Sequence, residues 1–137
     1  MTSAAEYIRQ TSDLLEDRYT ENCVVYACRA AELLLAESLA PWIGRVRDIE
    51  EKDGMRIHHA LIPLRYRGRG APTWTTHYVT CAGGQAYDPL IGEPIDIDRF
   101  TMEVFGRKLD VVEHFDVRET ARLLAGGTLC AAFRPVV

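Results

Sequence analysis

Apolar residues recur at two different spacings along this chain. Over residues 3–17 they are separated by three- and four-residue steps, which predicts an amphipathic first helix. The same spacing returns over residues 23–40, in the most apolar segment of the chain, and stops at Pro41. We therefore expect two N-terminal helices, the second of which runs through the core.

After Pro41 the spacing changes to the near alternation of β-strands. Residues 42–49 and 55–64 are predicted to be strands joined by a turn over 50–54, and residues 75–82 and 85–88 to form a hairpin around Gly83 and Gly84. The same signals predict three later elements: a helix over 96–105 that ends at Gly106, a strand over 108–115 and a helix over 117–125. This order predicts an α+β fold in which N-terminal helices pack on an antiparallel sheet.

Composition and charge narrow the classes of protein. A length of 137 residues with 47% hydrophobic and 26% charged residues is typical of one folded domain, here taken as residues 1–137. The net charge of −4 lacks the basic excess that is typical of proteins that bind nucleic acid. No apolar run is long enough to span a membrane. Because the N-terminus does not resemble a signal peptide, we expect synthesis in the cytoplasm, with export without a cleavable signal as an alternative.

Three residues could support nucleophilic catalysis by sulfur, which requires a thiolate, a base and a group that orients the base. Cys23 lies in the predicted first turn of the apolar helix, where free N–H groups and the helix dipole stabilise a thiolate. His77 lies at the head of one predicted hairpin strand, and Asp88 lies at the end of the other. These are the candidate nucleophile, base and orienting carboxylate.

The predicted hairpin brings two of these residues together by its register alone. With a two-residue turn at Gly83 and Gly84, facing residues have numbers that sum to 167, so Asp88 faces Val79. His77 is two residues from Val79 and shares its face, which makes His77 and Asp88 diagonal neighbours within roughly 7 Å. The count supports a His–carboxylate pair but does not place Cys23 beside it.

The order of these residues resembles the papain-like and transglutaminase-like superfamily of cysteine enzymes. The motifs that carry the resemblance are Asn22-Cys23, Thr76-His77-Tyr78 and Tyr87-Asp88-Pro89. The chain looks most like the compact bacterial papain-fold toxins and effectors that deamidate glutamine. The resemblance implies a Cys23 nucleophile, a His77 base and an Asp88 orienter, with no cofactor.

The resemblance also has a departure, which concerns the oxyanion hole. The papain pattern places a Gln a few residues before the Cys, and residues 17–22 contain none. Asn22 and the backbone N–H of Cys23 are the expected substitutes, and Trp74 is a candidate wall of the substrate cleft or a core residue. Proteolysis and transglutamination remain alternatives to glutamine deamidation.

The same residues also permit other interpretations. Cys23 could be a structural thiol in a non-catalytic binding module of the same fold, or the nucleophile of a thiol acyltransferase. A zinc site is disfavoured because the cysteines and histidines lack the close spacing of zinc ligands. The expected partners are a protein or peptide substrate and an inhibitor or immunity protein, with the Arg-rich residues 65–69 as a solvated loop or a rim for an acidic partner.

Overall fold

The computed structural model describes residues 2–13, 19–65 and 75–133, and for residues 13 and 19–22 it describes the backbone alone. Its helices are α1 Ala4–Asp13, α2 Tyr19–Ala36, α3 Ile97–Phe105, α4 Val117–Ala125 and α5 Leu129–Ala132. Its strands are β1 Trp42–Lys52, β2 Met55–His59, β3 Thr76–Ala82, β4 Gln85–Tyr87, β5 Ile95–Asp96 and β6 Val111–Phe115. None of the helices described in this way is long and apolar enough to cross a membrane.

All strand pairings are antiparallel. The sheet has the order β2-β1-β3-β4-β5, and β6 pairs with β1. The long strand β1 is the centre of this arrangement because it pairs with β2, β3 and β6. The predicted α+β class, with N-terminal helices on an antiparallel sheet, is confirmed.

The two faces of the sheet carry different layers. Alternate side chains of β1 and β3 point to opposite faces, since Ile43 pairs with Thr80 and Val46 pairs with His77. Ile43 packs with α2, α4 and α5 in one apolar cluster, consisting of Cys28, Ala31, Ile43, Leu123, Leu129 and Phe133. Val46 belongs to a second cluster on the opposite face, where α3 contributes Phe100, Val104 and Phe105. Both faces are therefore buried by helices.

Helix α2 differs from its prediction at both ends. It begins at Tyr19 rather than at residue 23, because the polar residues 19–22 continue the helix although they add nothing to its apolar stripe. It ends at Ala36, four residues early, where Ser38 adopts a left-handed φ of 62° and the Leu39 N–H bonds to the Leu34 carbonyl at 3.0 Å. The prediction that Cys23 lies in the first turn is therefore wrong, since it is the fifth residue of α2.

Other differences concern short elements and strand ends. β2 stops at His59 and β6 starts at Val111, so both are shorter than predicted. The two-residue β5 and the four-residue α5 carry too few positions for a periodicity and were not predicted. In contrast, α4 has its predicted bounds, and the Asp116 side chain caps it by accepting from the Glu119 N–H at 2.7 Å.

Candidate functional site

The predicted pairing of His77 with Asp88 is present. β3 and β4 pair in the predicted register, with Thr80 opposite Tyr87 and Ala82 opposite Gln85. His77 Nε2 forms a hydrogen bond with Asp88 Oδ2. Because His77 is 0% exposed and Asp88 is 2% exposed, this ion pair is shielded from water.

The turn that follows β4 fixes the carboxylate of Asp88. Its other oxygen, Oδ1, accepts from the Leu90 N–H at 2.8 Å. Its backbone carbonyl accepts from the N–H groups of Ile91 and Gly92 at 3.1 and 3.0 Å. Asp88 is thus held from both sides, and it in turn fixes the orientation of the imidazole.

Two aromatic residues of α3 enclose the imidazole. The Phe100 ring stacks on His77 with a centroid distance of 6.4 Å and an interplanar angle of 14°. The Phe105 ring meets it edge-on, with a centroid distance of 5.9 Å. These rings exclude water from His77 and leave Asp88 as the charge that balances an imidazolium.

His77 is held in its protonated form. Burial by itself lowers the pKa of His77, but the charge of Asp88, its hydrogen bond and the interaction with the Cys23 thiol together raise that pKa to about 10. At neutral pH the ring therefore carries a proton on each nitrogen. Since Nε2 bonds to Asp88, we assign proton exchange with Cys23 to Nδ1.

Cys23 reaches the imidazole from α2. Its side chain is 8% exposed, belongs to the same apolar cluster as Phe100 and interacts with His77. One turn further along α2, the Ala27 carbonyl accepts a hydrogen bond from the buried Thr80 hydroxyl at 2.6 Å. This bond fixes α2 on β3 and so sets the approach of Cys23, which the register count did not provide.

The structure thus brings Cys23, His77 and Asp88 together. The side chain of Asn22 and the whole of Trp74 lie outside the described residues, as do residues 66–69 of the Arg-rich stretch. Because Cys23 is in the second turn of α2, the free N–H groups of the helix start belong to the residues before it. Among the described groups, the His77 imidazole interacts with its sulfur.

Several residues around the site were not singled out from the sequence. Phe100 and Phe105 are five residues apart in one helix, which is not the three- or four-residue spacing of one helix face, so the sequence did not indicate that both contact His77. Thr80 resembles any other strand threonine until α2 is placed against it. Cys81 shares the face of His77, and burial, with a smaller contribution from the charge of Asp88, raises the pKa of its thiol, so it remains protonated in the core.

Metal ligands and surface depressions are the remaining features of the described ranges. No group of three His, Cys, Asp or Glu side chains within these ranges is placed to hold a metal ion. Three of the surface depressions formed by described residues contain no triad residue. One of these, about 320 Å³ in volume, lies between β1 and the chain before β6 and is lined by Arg45, Arg47 and Lys108.

Comparison with known proteins adds no assignment to this geometry. No protein-family model, no curated protein and no solved structure matches the chain. The residues of the site and their contacts are therefore the basis on which a function is proposed.

Proposed function

We propose that this protein is a cysteine-dependent amide hydrolase of the papain-like and transglutaminase-like kind, with Cys23 as the nucleophile. The observation that carries this proposal is the buried, Asp88-anchored His77 beside the Cys23 thiol. A protonated imidazole next to sulfur favours the thiolate and holds a proton ready for a leaving group. Cys23 comes from α2, whereas His77 and Asp88 come from the β3–β4 hairpin and the turn after it. The proposed reactive atom is the Cys23 sulfur.

The first chemical step forms a thioester. The Cys23 thiolate attacks the carbonyl carbon of a carboxamide, and the π electrons of the C=O bond move to oxygen. The tetrahedral intermediate then collapses as the C–N bond breaks, and the nitrogen takes the proton from His77. The products are an acyl-enzyme and either ammonia or an amine.

The second step regenerates the thiolate. Neutral His77 accepts one proton from water as the water oxygen attacks the thioester, and the C–S bond breaks to release a carboxylic acid, which loses its remaining proton to solvent as the carboxylate. Asp88 does not change its protonation state and instead keeps the imidazole oriented and charge-balanced. With an amine in place of water, the same step would be a transfer reaction.

The resemblance favours a protein glutamine as the substrate, which makes deamidation the proposed reaction and a bacterial toxin or effector the proposed context. The partners are then a substrate protein and an inhibitor or immunity protein. Backbone N–H groups at the start of α2, with Asn22, are proposed to bind the oxyanion, and Trp74 to contact the substrate. Proteolysis uses the same groups and differs only in the leaving amine.

A non-catalytic binding module is the second candidate, and the burial of Cys23 favours it. Only 8% of this residue is exposed, so the described residues leave little room for a carbonyl carbon beside its sulfur. In this alternative the triad is a buried polar network that stabilises the α2–β3 junction. The two candidates differ in whether Cys23 can be acylated.

Acylation by p-nitrophenyl acetate distinguishes them without knowledge of the natural substrate. The amide hydrolase should release one nitrophenol per chain in a burst, acetylate Cys23 and then turn over as the thioester hydrolyses. Cys23→Ala should abolish the burst, whereas Cys81→Ala, which changes a buried cysteine in the same apolar cluster, should retain it. Equal acetylation of both variants, or none of the wild type, would favour the binding module.

A further inference from the structure

Two cysteines, Cys28 and Cys130, lie on the opposite side of α2 from the triad. Cys28 is buried in the apolar cluster of α2, α4 and α5, and Cys130 lies in α5. Helices α2 and α5 pack against each other, and, besides burial, Cys130 is one of the groups that raise the pKa of the Cys28 thiol. Cys23 belongs to the other cluster, so this pair is separate from the proposed nucleophile.

The packing of α5 sets the position of Cys130. Its neighbour Leu129 is buried in the same cluster as Cys28. Phe133, at the end of α5, packs against Tyr78 with a centroid distance of 4.8 Å. Because residues on both sides of Cys130 are anchored in the core, the contact with Cys28 is a feature of the fold rather than of one side-chain rotamer.

The two thiols differ in access to solvent. Cys130 is exposed, whereas Cys28 is buried. Burial, followed by the contact with Cys130, raises the pKa of the Cys28 thiol, so this sulfur is protonated at neutral pH and loses its proton as it attacks. One thiol is therefore placed to meet an oxidant and the other to resolve the product.

We propose that Cys28 and Cys130 are a redox site that forms a reversible intramolecular disulfide when a peroxide oxidises the protein. Hydrogen peroxide transfers one oxygen to the Cys130 thiolate, which becomes a sulfenic acid as hydroxide leaves. The Cys28 sulfur then attacks the Cys130 sulfur, the S–S bond forms, and the sulfenic oxygen leaves as water with the proton of Cys28. Two thiols and one peroxide thus give one disulfide and two waters.

The disulfide would join the helix that carries Cys23 to the C-terminal helix. Because α2 and α5 already contact each other, the bond requires adjacent sulfurs but no rearrangement of the elements. A bond between elements so distant in sequence limits the unfolded chain strongly, so the oxidised protein should melt at a higher temperature than the reduced one. The inference is independent of whether Cys23 is catalytic.

The test is a thiol count on the intact chain before and after stoichiometric hydrogen peroxide. The count is made in Cys23→Ala, because peroxide would also oxidise a Cys23 thiolate. Three of the chain's four cysteines remain in this variant, and titration in denaturant should fall from three thiols to one, returning to three with dithiothreitol. Peptide mapping without reduction should identify Cys28 joined to Cys130. Cys130→Ser should lose this linkage, whereas Cys81→Ser, which removes a buried cysteine outside this pair, should retain it.

Two outcomes would overturn the inference. One is a disulfide between two chains through Cys130, with Cys28 still free after denaturation. The other is oxidation of Cys130 to sulfinic acid without any linkage. Either would show that the two sulfurs do not react with each other, and circular dichroism of both serine variants would verify that they fold.

Discussion

The side chain of His77 connects all parts of the candidate site. It bonds to Asp88 through Nε2, stacks on Phe100 and interacts with the Cys23 thiol. An imidazolium without a counter-charge at this depth would lose its proton, so the pairing with Asp88 is what allows a charged ring to be buried. His77 therefore contributes both to the stability of the fold and to the proposed chemistry.

The raised pKa of His77 predicts that its contribution to stability falls as the pH rises. From pH 6.5 to 8 the unfolded chain loses the proton of this residue and the folded chain keeps it, because its folded pKa is about 10. The stabilisation is complete below the unfolded pKa, and roughly 2 kcal/mol of it should be lost by pH 8. Urea unfolding of Cys23→Ala, with and without Asp88→Asn, measures the difference over this range, because an ionised Cys23 would contribute with the opposite sign.

Asp48→Asn is the matched control, because Asp48 is also a buried aspartate but bonds to Arg107. In the Cys23→Ala chain, Asp88→Asn should flatten the pH dependence, and Asp48→Asn should leave it unchanged. The same slope in all three proteins would contradict the assignment of a protonated His77. Measurements stay below pH 8 because the buried thiols contribute above it.

At the scale of elements, the junction of α2 with β3 decides whether the three candidate residues meet. The Thr80 hydroxyl donates to the Ala27 carbonyl at 2.6 Å, one helical turn beyond Cys23. Val24 packs against both apolar clusters, so the start of α2 contacts the cores of both sheet faces. Small shifts of this helix should therefore act directly on the separation of sulfur and imidazole.

Thr80→Val should test this junction. The substitution keeps the shape of the side chain and removes the hydroxyl, so we expect a loss of about 1–2 kcal/mol in unfolding free energy. We also expect slower labelling of Cys23, measured by mass spectrometry, because the helix is no longer fixed next to His77. Thr101→Val, which removes another buried hydroxyl bonded to the Leu109 carbonyl at 3.0 Å, should lower stability but leave labelling unchanged. Equal labelling in both variants would contradict the role of Thr80.

The sequence allowed the His77–Asp88 pair to be predicted because hairpin register follows from counting across Gly83 and Gly84. The same approach failed for the start of α2, because residues 19–22 are polar and carry no apolar stripe. It could not place Cys23 beside His77 either. That contact depends on packing between elements distant in the chain, which no local pattern encodes.

At the scale of the whole molecule, the site lies where α2, α3 and the sheet meet. The turn that fixes Asp88 contains Gly92, whose φ of 75° is left-handed. A Cβ at this position would lie 2.9 Å from Ser12 Oγ in α1. Helix α1, although it holds no candidate catalytic residue, thus supports the turn that orients the triad.

Gly92→Ala should therefore lower the free energy of unfolding by more than the strained φ of one residue would. We expect a loss of roughly 2 kcal/mol or more, from the left-handed φ together with the clash against Ser12. Gly127→Ala is the control, because its φ is 68° and nothing lies within 4 Å of its new Cβ. Thermal unfolding monitored by circular dichroism compares them. A smaller loss for Gly92→Ala than for Gly127→Ala would contradict the proposed support.

The central claim is that Cys23 and His77 form a thiolate–imidazolium pair. The most direct measurement is the pH profile of iodoacetamide labelling of Cys23 by mass spectrometry, in the wild type, in His77→Gln and in His114→Gln, which changes a half-buried histidine on the opposite face. We predict labelling that is already at its plateau below pH 7 in the wild type and in His114→Gln, and that is lost at that pH in His77→Gln. A profile that rises only near pH ~8.5, as for a free thiol, and is the same in all three proteins would contradict the claim.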